Sequence, residues 1–358
     1  MCIRDSFGVI LILGGPKFAT LEVEIFYQTI SLFNLPLAAV LSILQLLCTL
    51  AMTIIYTRLN RRLSQPIQLQ SQSFTQKKMT TWKSQLFAGV VILILFTLLI
   101  TPLLALATRS IASFDTRSEQ QGVLTSGITF ENYRQLTINR RDSMFFVPPT
   151  TAIRNSLLYA AVVVILALVI GMPAAWALSH HSDSVFNRYI DPVLMLPLGT
   201  SAVTLGLGFI VALNRPPLDL RASPILIPIA HTLVAFPFVI RSLAPSLRSI
   251  KPRLRQAAAV LGASPYDVFR TVDLPLVGRA LLVAATFAFT ISLGEFGATA
   301  LISRPEYPTI PLMIYRYISQ PGATNYGQAM ALSTILMVVA AVAIVLIERI
   351  RIADIGEF

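Results

Sequence analysis

Seventeen Asp and Glu residues, three His and two Cys are spread over 358 positions, and few stand where chemistry is feasible. Glu295 lies within the apolar run 280–303, which reads as membrane-spanning. An ionisable group there is costly and normally faces a bundle interior or a water-filled cavity. Two readings of Glu295 stay open. It lines a path through the bundle and meets a cationic solute, or it makes a structural hydrogen bond beside Gly294 and Gly297. His231, in a second apolar run, has the same two readings, with a packed polar residue preferred over a gate or ligand. Cys2 and Cys48 have neither disulfide nor metal spacing, and His180, His181 and His231 are too few for a metal cluster. No Gly-rich phosphate loop of the form G-x-x-x-x-G-K followed by Ser or Thr occurs, and none of the five lysines follows a glycine. Neither a Ser/His/Asp set nor a working pair of carboxylates can be assembled. The expectation is a chain with no catalytic residue, no metal and no cofactor, whose energy must come from a partner.

The elements that must position these residues are membrane helices. Hydrophobic residues make up 55% of the chain and charged ones 13%, against about 25% charged in soluble domains. The net charge of +11 does not read as nucleic-acid binding, because the basic residues lie between long apolar runs. Seven runs have the roughly 20-residue length that crosses a bilayer: 35–57, 85–107, 155–178, 190–213, 224–243, 280–303 and 327–348. An eighth, 7–14, reads as the end of a span. Pro192, Pro197, Gly206 and Gly208 in the fourth run serve either bending or close packing. Segment 58–84 holds six basic residues and no acid, and segment 241–279 holds seven against Asp267 and Asp273. Both belong on the cytoplasmic side. Walking the spans between them is consistent with that, leaves 108–153 outside as a small cap, and puts the C-terminus inside. Tyr307, Tyr315, Arg316 and Tyr317 precede the last span and read as interface anchors rather than as contacts for an external partner.

The polar stretch 251–276 is too regular for a floppy loop. Pro252 suits the first turn of a short alanine-rich helix over 252–261, and Gly262 falls where a C-terminal cap wants positive φ. Ser264, Pro265 and Asp267 form a box-like helix start, with Tyr266, Phe269 and Val272 as its apolar face. Pro275 is expected to end or kink that second helix. The result is two short helices around a glycine at the inner membrane face. An ordinary basic loop binding lipid headgroups is the plain alternative.

Gln256-Ala257-Ala258, then Gly262, then Val272-Asp273-Leu274-Pro275 after nine residues, resembles the E-A-A-x-x-x-G and I-x-L-P loop of permease subunits in binding-protein-dependent ABC importers. The chain departs from that pattern at Gln256, where the family carries glutamate. The resemblance implies an all-α, polytopic transmembrane bundle with the type I importer fold, in the bacterial inner membrane. It implies a coupling helix that docks on a cytoplasmic ATPase dimer. The residues carrying it are Gln256, Ala257, Ala258, Gly262, Ser264, Pro265, Tyr266, Phe269, Leu274 and Pro275. An extracytoplasmic substrate-binding protein and membrane lipid are the other implied partners.

The chain also says nearly the same thing twice. Phe7, Gly8, Pro16, Thr20 and Ile25 recur as Phe296, Gly297, Pro305, Thr309 and Ile314 at a constant offset of 289. After a two-residue slip, Asn34, Ala38, Leu41 and Ser42 answer Asn325, Ala329, Leu332 and Ser333. The run 13–30 and the segment 294–319 resemble equivalent parts of fused two-half permeases whose substrates include thiamine and ferric iron. The expected organisation is 1–57 as the end of a first half, 58–84 as a cytoplasmic linker, and 85–350 as a complete six-span unit. On this reading roughly 200 residues of a unit about 290 long precede residue 1, and the opening MCIRD is a non-native start. The rivals are an ion-gradient-driven secondary transporter with Glu295 as its proton site, and a membrane scaffold.

Overall fold

The computed structural model describes residues 6–14, 16–63, 81–112, 127–138, 147–180, 190–191, 193–213, 219–220 and 223–353. Most of the linker (64–80), the opening five residues, His181 and Pro192 lie outside the described residues. Among the described residues extended pairing is confined to one isolated bridge, Ala112 to Ile128. The helices are α1 (Ser6–Val9), α2 (Leu21–Phe26), α3 (Leu35–Leu63), α4 (Trp82–Ser110), α5 (Glu131–Gln135), α6 (Pro149–His180), α7 (Leu196–Gly199) and α8 (Ala202–Ala212). They continue with α9 (Leu226–Ser249), α10 (Pro252–Val260), α11 (Pro265–Val268), α12 (Leu274–Gly294), α13 (Gly297–Ile302), α14 (Ile310–Ile318) and α15 (Ala323–Ala353). Six described helical runs are long and apolar enough to cross a membrane: α3, α4, α6, α9, the joined α11–α12 and α15.

The centre is α9. Buried residues make up 72% of its apolar window, against none in α4. It packs against α6 and α12, which also touch one another, and Val163, Ala167, Ala235, Val239, Leu243, Ala284 and Ala288 fill the shared core. Small residues let these helices approach closely, which is how membrane helices associate when lipid offers no hydrophobic contrast. A second core joins α1, α2, α8, α9 and α13 around Ile25, Val203, Leu226, Ala230 and Ala298. α4 leaves its aliphatic side chains exposed on all faces, as a helix bathed in lipid does, and it packs on α15.

Two expected spans differ. The run 190–213 is not one continuous helix. Thr200 and Ser201 are extended, the Ser201 hydroxyl accepts the Val203 N–H at 3.2 Å, and α8 restarts from that cap. At 1.5 Å per residue the 11 residues of α8 reach about 16 Å, too short to cross. The run 280–303 breaks at Glu295, whose backbone is extended (φ −69°, ψ 121°), before α13 begins at Gly297. α8 and α13 lie side by side. A Cβ on Gly206 would come within 3.2 Å of the Ala298 Cα and 3.3 Å of its carbonyl oxygen, so Gly206 serves close packing. Backbone cannot swing aside as a side chain can. Gly206→Val is expected to destabilise the solubilised protein by about 1–3 kcal/mol, read as a fall in Tm, while Gly208→Ala, which meets nothing within 4 Å, leaves Tm unchanged.

Candidate functional site

The loop after α9 is built from strong local signals. Pro252 occupies the first turn of α10, where its missing N–H costs nothing. The helix closes with a Schellman motif: the Ala263 N–H reaches the Ala258 carbonyl at 3.1 Å and the Gly262 N–H reaches Ala259 at 3.0 Å. Gly262 takes φ +86°, the left-handed conformation this motif needs. Ser264 and Asp267 then form a complete capping box, each side chain accepting the other's backbone N–H at 3.2 Å.

The second helix does not stop at Pro275. From Pro265 to Gly294 the chain is one helical run of 30 residues, about 45 Å long. A π turn over Phe269–Asp273 absorbs the proline, with the Leu274 N–H reaching back to the Phe269 carbonyl. The run exceeds a hydrocarbon core of about 30 Å, so its N-terminal part stands clear of the membrane with α10. Gln256, Ala257, Gly262, Ser264, Pro265, Tyr266 and Pro275 are exposed, while Ala258, Phe269 and Leu274 are half-buried. Phe269 and Leu274 pack on the central core, whereas Tyr266 faces outward. Leu254, Val260, Leu261 and Tyr266 together expose an apolar surface on this loop, with Val260 and Leu261 each 87% exposed.

The π turn also turns Asp273 inward, to 3% side-chain exposure, where its Oδ1 accepts the Arg255 Nε–H at 2.7 Å. The same guanidinium donates to the Leu247 carbonyl at 3.4 Å. Sequence reasoning missed this pair, having counted both residues only as loop charges. The one available signal was a lone acid inside the Val272–Pro275 motif.

Within the bundle, His231 of α9 is fully enclosed. Its Nδ1 lies 2.9 Å from the Ser292 hydroxyl and its Nε2 2.7 Å from the Thr299 hydroxyl. These partners flank the break after α12, so one imidazole ties both sides of the break to α9. Glu295 sits in the break, 7% exposed, and its Oε1 accepts the Ala298 N–H at 3.0 Å. A second polar cluster joins distant segments: Glu22 accepts from Gln45 Nε2 at 3.3 Å, and Gln45 Oε1 accepts from the Thr204 hydroxyl at 2.7 Å. This cluster was not legible, since Gln45 and Thr204 lie 159 residues apart. Among the described residues no group of three or more His, Cys, Asp or Glu is placed to hold a metal ion.

No family model matches the chain. Several curated proteins do. The putative 2-aminoethylphosphonate transport system permease protein of Salmonella typhimurium is 28% identical over 268 residues, covering 75% of this chain and 95% of that one. The molybdenum transport system permease protein of Haemophilus influenzae is 33% identical over 201 residues, covering 52% of this chain and 87% of that one. The chain belongs to the ABC importer permease family. The thiamine transport system permease protein of Escherichia coli matches 89% of the permease at 26% identity, and the match spans 56% of that protein's own length. The fold agrees with that of solved importers. A bacterial ABC transporter that imports alginate aligns with TM-score 0.53 at 16% identity, over 76% of the permease and 99% of that chain. A bacterial alginate ABC transporter in complex with an alginate pentasaccharide-bound periplasmic protein aligns with TM-score 0.55 at 18% identity, over 74% of the permease and 92% of that chain. The permease is thus an all-α, multi-pass inner-membrane protein.

Proposed function

We propose that this permease carries solute for an ATP-driven importer, that loop 251–276 is the seat of a separate ATPase dimer, and that an extracytoplasmic binding protein delivers the solute. The observation that carries this reading is the loop itself. A rigidly capped short helix exposes Leu254, Val260, Leu261 and Tyr266 at the cytoplasmic end of a helix that runs on through the membrane. Contiguous exposed apolar residues on a polar loop mark a protein contact, and a load applied there passes directly along α11–α12.

For the solute we favour an organic cation such as thiamine, with ferric iron as the other member of the class. Glu295 is buried at the break between α12 and α13, Glu22 is buried and Glu24 half-buried in α2, and an ionisable residue inside a membrane bundle marks a solute or ion pathway. The long match to the thiamine permease supports the same choice. That match, covering just over half of its length, also supports the reading of 1–57 as part of one permease half and 85–350 as another. The decisive experiment reconstitutes the gene product with its ATPase and binding protein in liposomes. ATP-dependent uptake of labelled thiamine, unaffected by an uncoupler, is expected. Uptake that collapses with the uncoupler and ignores ATP would instead establish an ion-gradient-driven transporter.

Glu295→Gln separates the two roles of that residue. Glutamine keeps an acceptor for the Ala298 N–H but removes the charge. Uptake is expected to fall about tenfold, the loss of one charge-assisted contact, with assembly unchanged by size-exclusion chromatography. Unchanged uptake would reduce Glu295 to a helix cap.

A further inference from the structure

The imidazole of His231 has no water and no charge around it, only hydroxyls at its two nitrogens. Nδ1 lies 2.9 Å from Ser292 Oγ and Nε2 2.7 Å from Thr299 Oγ1, and all three residues are buried. The Thr299 hydroxyl also reaches the Glu295 carbonyl, at 3.4 Å. A hydroxyl has one proton to give, and a carbonyl can only accept. Thr299 therefore donates to Glu295 and accepts from the ring, which puts the imidazole proton on Nε2. Nδ1 is left as an acceptor, and the Ser292 hydroxyl donates to it. The bonds form one directed chain, from Ser292 through His231 and Thr299 to the backbone of Glu295.

Glu295 is held from both directions along the chain by the residues this ring ties together. Its backbone is extended, so no helical ladder fixes it. Its N–H reaches the Ser292 carbonyl at 3.3 Å, and its carbonyl takes the Thr299 hydroxyl. Its Oε1 accepts the N–H of Ala298, the neighbour of Thr299, at 3.0 Å. Ser292 lies before the break and Thr299 after it. A planar ring with one nitrogen on each thereby sets how far apart the two ends stand, and so where the carboxylate between them is held. The second-atom partner of an imidazole fixes its proton and its orientation, and here both nitrogens are committed.

The repeat supplies an independent observation. At the offset of 289, Glu295 answers to Ser6 and Thr299 to Ile10. The first copy thus lacks both the acid and the hydroxyl that ties its backbone to a ring. Around these positions the copies agree: Phe7 and Phe296 lie with ring centroids 5.6 Å apart, and Thr20 and Thr309 share an extended backbone, with φ −89° and −98°. A clamp that served the fold alone belongs in both copies. This one is present only where the acid is. We propose that His231 is a positioning residue for Glu295, clamping Ser292 and Thr299 across the break so that the carboxylate is held in the one place where it serves uptake. The proposal rests on the reading of Glu295 as a residue that solute meets.

The test is a double-mutant cycle on the gene product assembled with its ATPase and binding protein in liposomes, with labelled thiamine as the probe. His231→Phe keeps a ring and removes both bonds, and it is expected to lower ATP-driven uptake about tenfold, as Glu295→Gln does. The combined His231→Phe/Glu295→Gln variant should fall no further than either alone, because the ring acts through the carboxylate. His231→Gln, which keeps a donor and an acceptor, should restore at least half of the uptake. Thr299→Val removes the Nε2 partner without touching the ring, should behave like His231→Phe, and serves where that variant does not fold. Losses that multiply in the double variant, or uptake lowered by Glu295→Gln but not by His231→Phe or Thr299→Val, would overturn the positioning role alone. Uptake unchanged by Glu295→Gln would remove the reading of Glu295 and the proposal with it. A second arm needs no solute: labelling of Glu295 by dicyclohexylcarbodiimide, read by mass spectrometry, should rise at least fivefold in His231→Phe or Thr299→Val while labelling of Glu22 stays the same. Unchanged labelling of Glu295 would overturn the proposal even where the unsubstituted assembly takes up no thiamine.

Discussion

Gly262→Arg is expected to abolish recovery of the ATPase with the permease while leaving the permease folded. Gly262 holds φ +86° at the end of α10, and an L-residue in the left-handed region costs about 1–2 kcal/mol. A Cβ there meets no atom within 4 Å, so arginine does not clash with its own chain. The whole side chain projects beside Val260 and Leu261, the most exposed apolar residues of the loop. A buried, unpaired guanidinium in a protein interface costs several kcal/mol, enough to lower ATPase recovery a hundredfold or more. Gly262→Asn provides the control, since asparagine tolerates the left-handed conformation and adds no charge. Pull-down of the ATPase by each variant from detergent extracts decides the matter. If Gly262→Arg retains wild-type ATPase, loop 251–276 is not the docking surface.

The loop was legible because its signals are local. Pro252, Gly262 and the Ser264–Asp267 box act within one helical turn, and they put the caps where a reader of the chain would put them. Hydrophobic runs marked five of the six continuous spans for the same reason. What escaped prediction was set by partners distant in the chain. Glu295 reads as mid-span from composition, but the polar group at the break is tolerated because the Ala298 N–H and the tie through His231 satisfy local polarity. The run 190–213 is apolar enough to span, yet Ser201 caps a fresh helix within it, since Gly206 can then nestle against the Ala298 backbone. Pro275 was expected to end or kink a helix, and the helix runs on through it. A π turn costs less than an ended helix when the flanking residues, Phe269 and Leu274, pack on a shared core. The stacking of Phe7 on Phe296 was visible only as an identity at constant offset. Nothing in a one-dimensional repeat states that its copies touch.

The buried Arg255–Asp273 pair should carry the second large effect, and its two halves should not be equivalent. Arg255 retains 21% side-chain exposure and Asp273 only 3%. Arg255→Ala strands a buried carboxylate with no counter-charge, a loss of about 3–5 kcal/mol. Asp273→Ala strands a guanidinium that can turn its head into the cytoplasm along its own aliphatic stem, so the loss should be smaller, about 1–2 kcal/mol. Removing both partners should be milder than Arg255→Ala alone, because no orphan charge remains. The pair joins α10 to the π turn at the base of α12 and, through Leu247, to the end of α9. On the proposed docking, loosening it frees α10 from the two spans it would move. In the assembled transporter Arg255→Ala is expected to keep ATP hydrolysis while uptake per ATP falls at least tenfold. The ordering Arg255→Ala, then the double variant, then Asp273→Ala, read from Tm and from the uptake-to-hydrolysis ratio together, is specific to a buried link. A solvent-exposed pair would give three small and nearly equal effects, and that outcome would leave the force to travel through the apolar contacts of Phe269 and Leu274 alone.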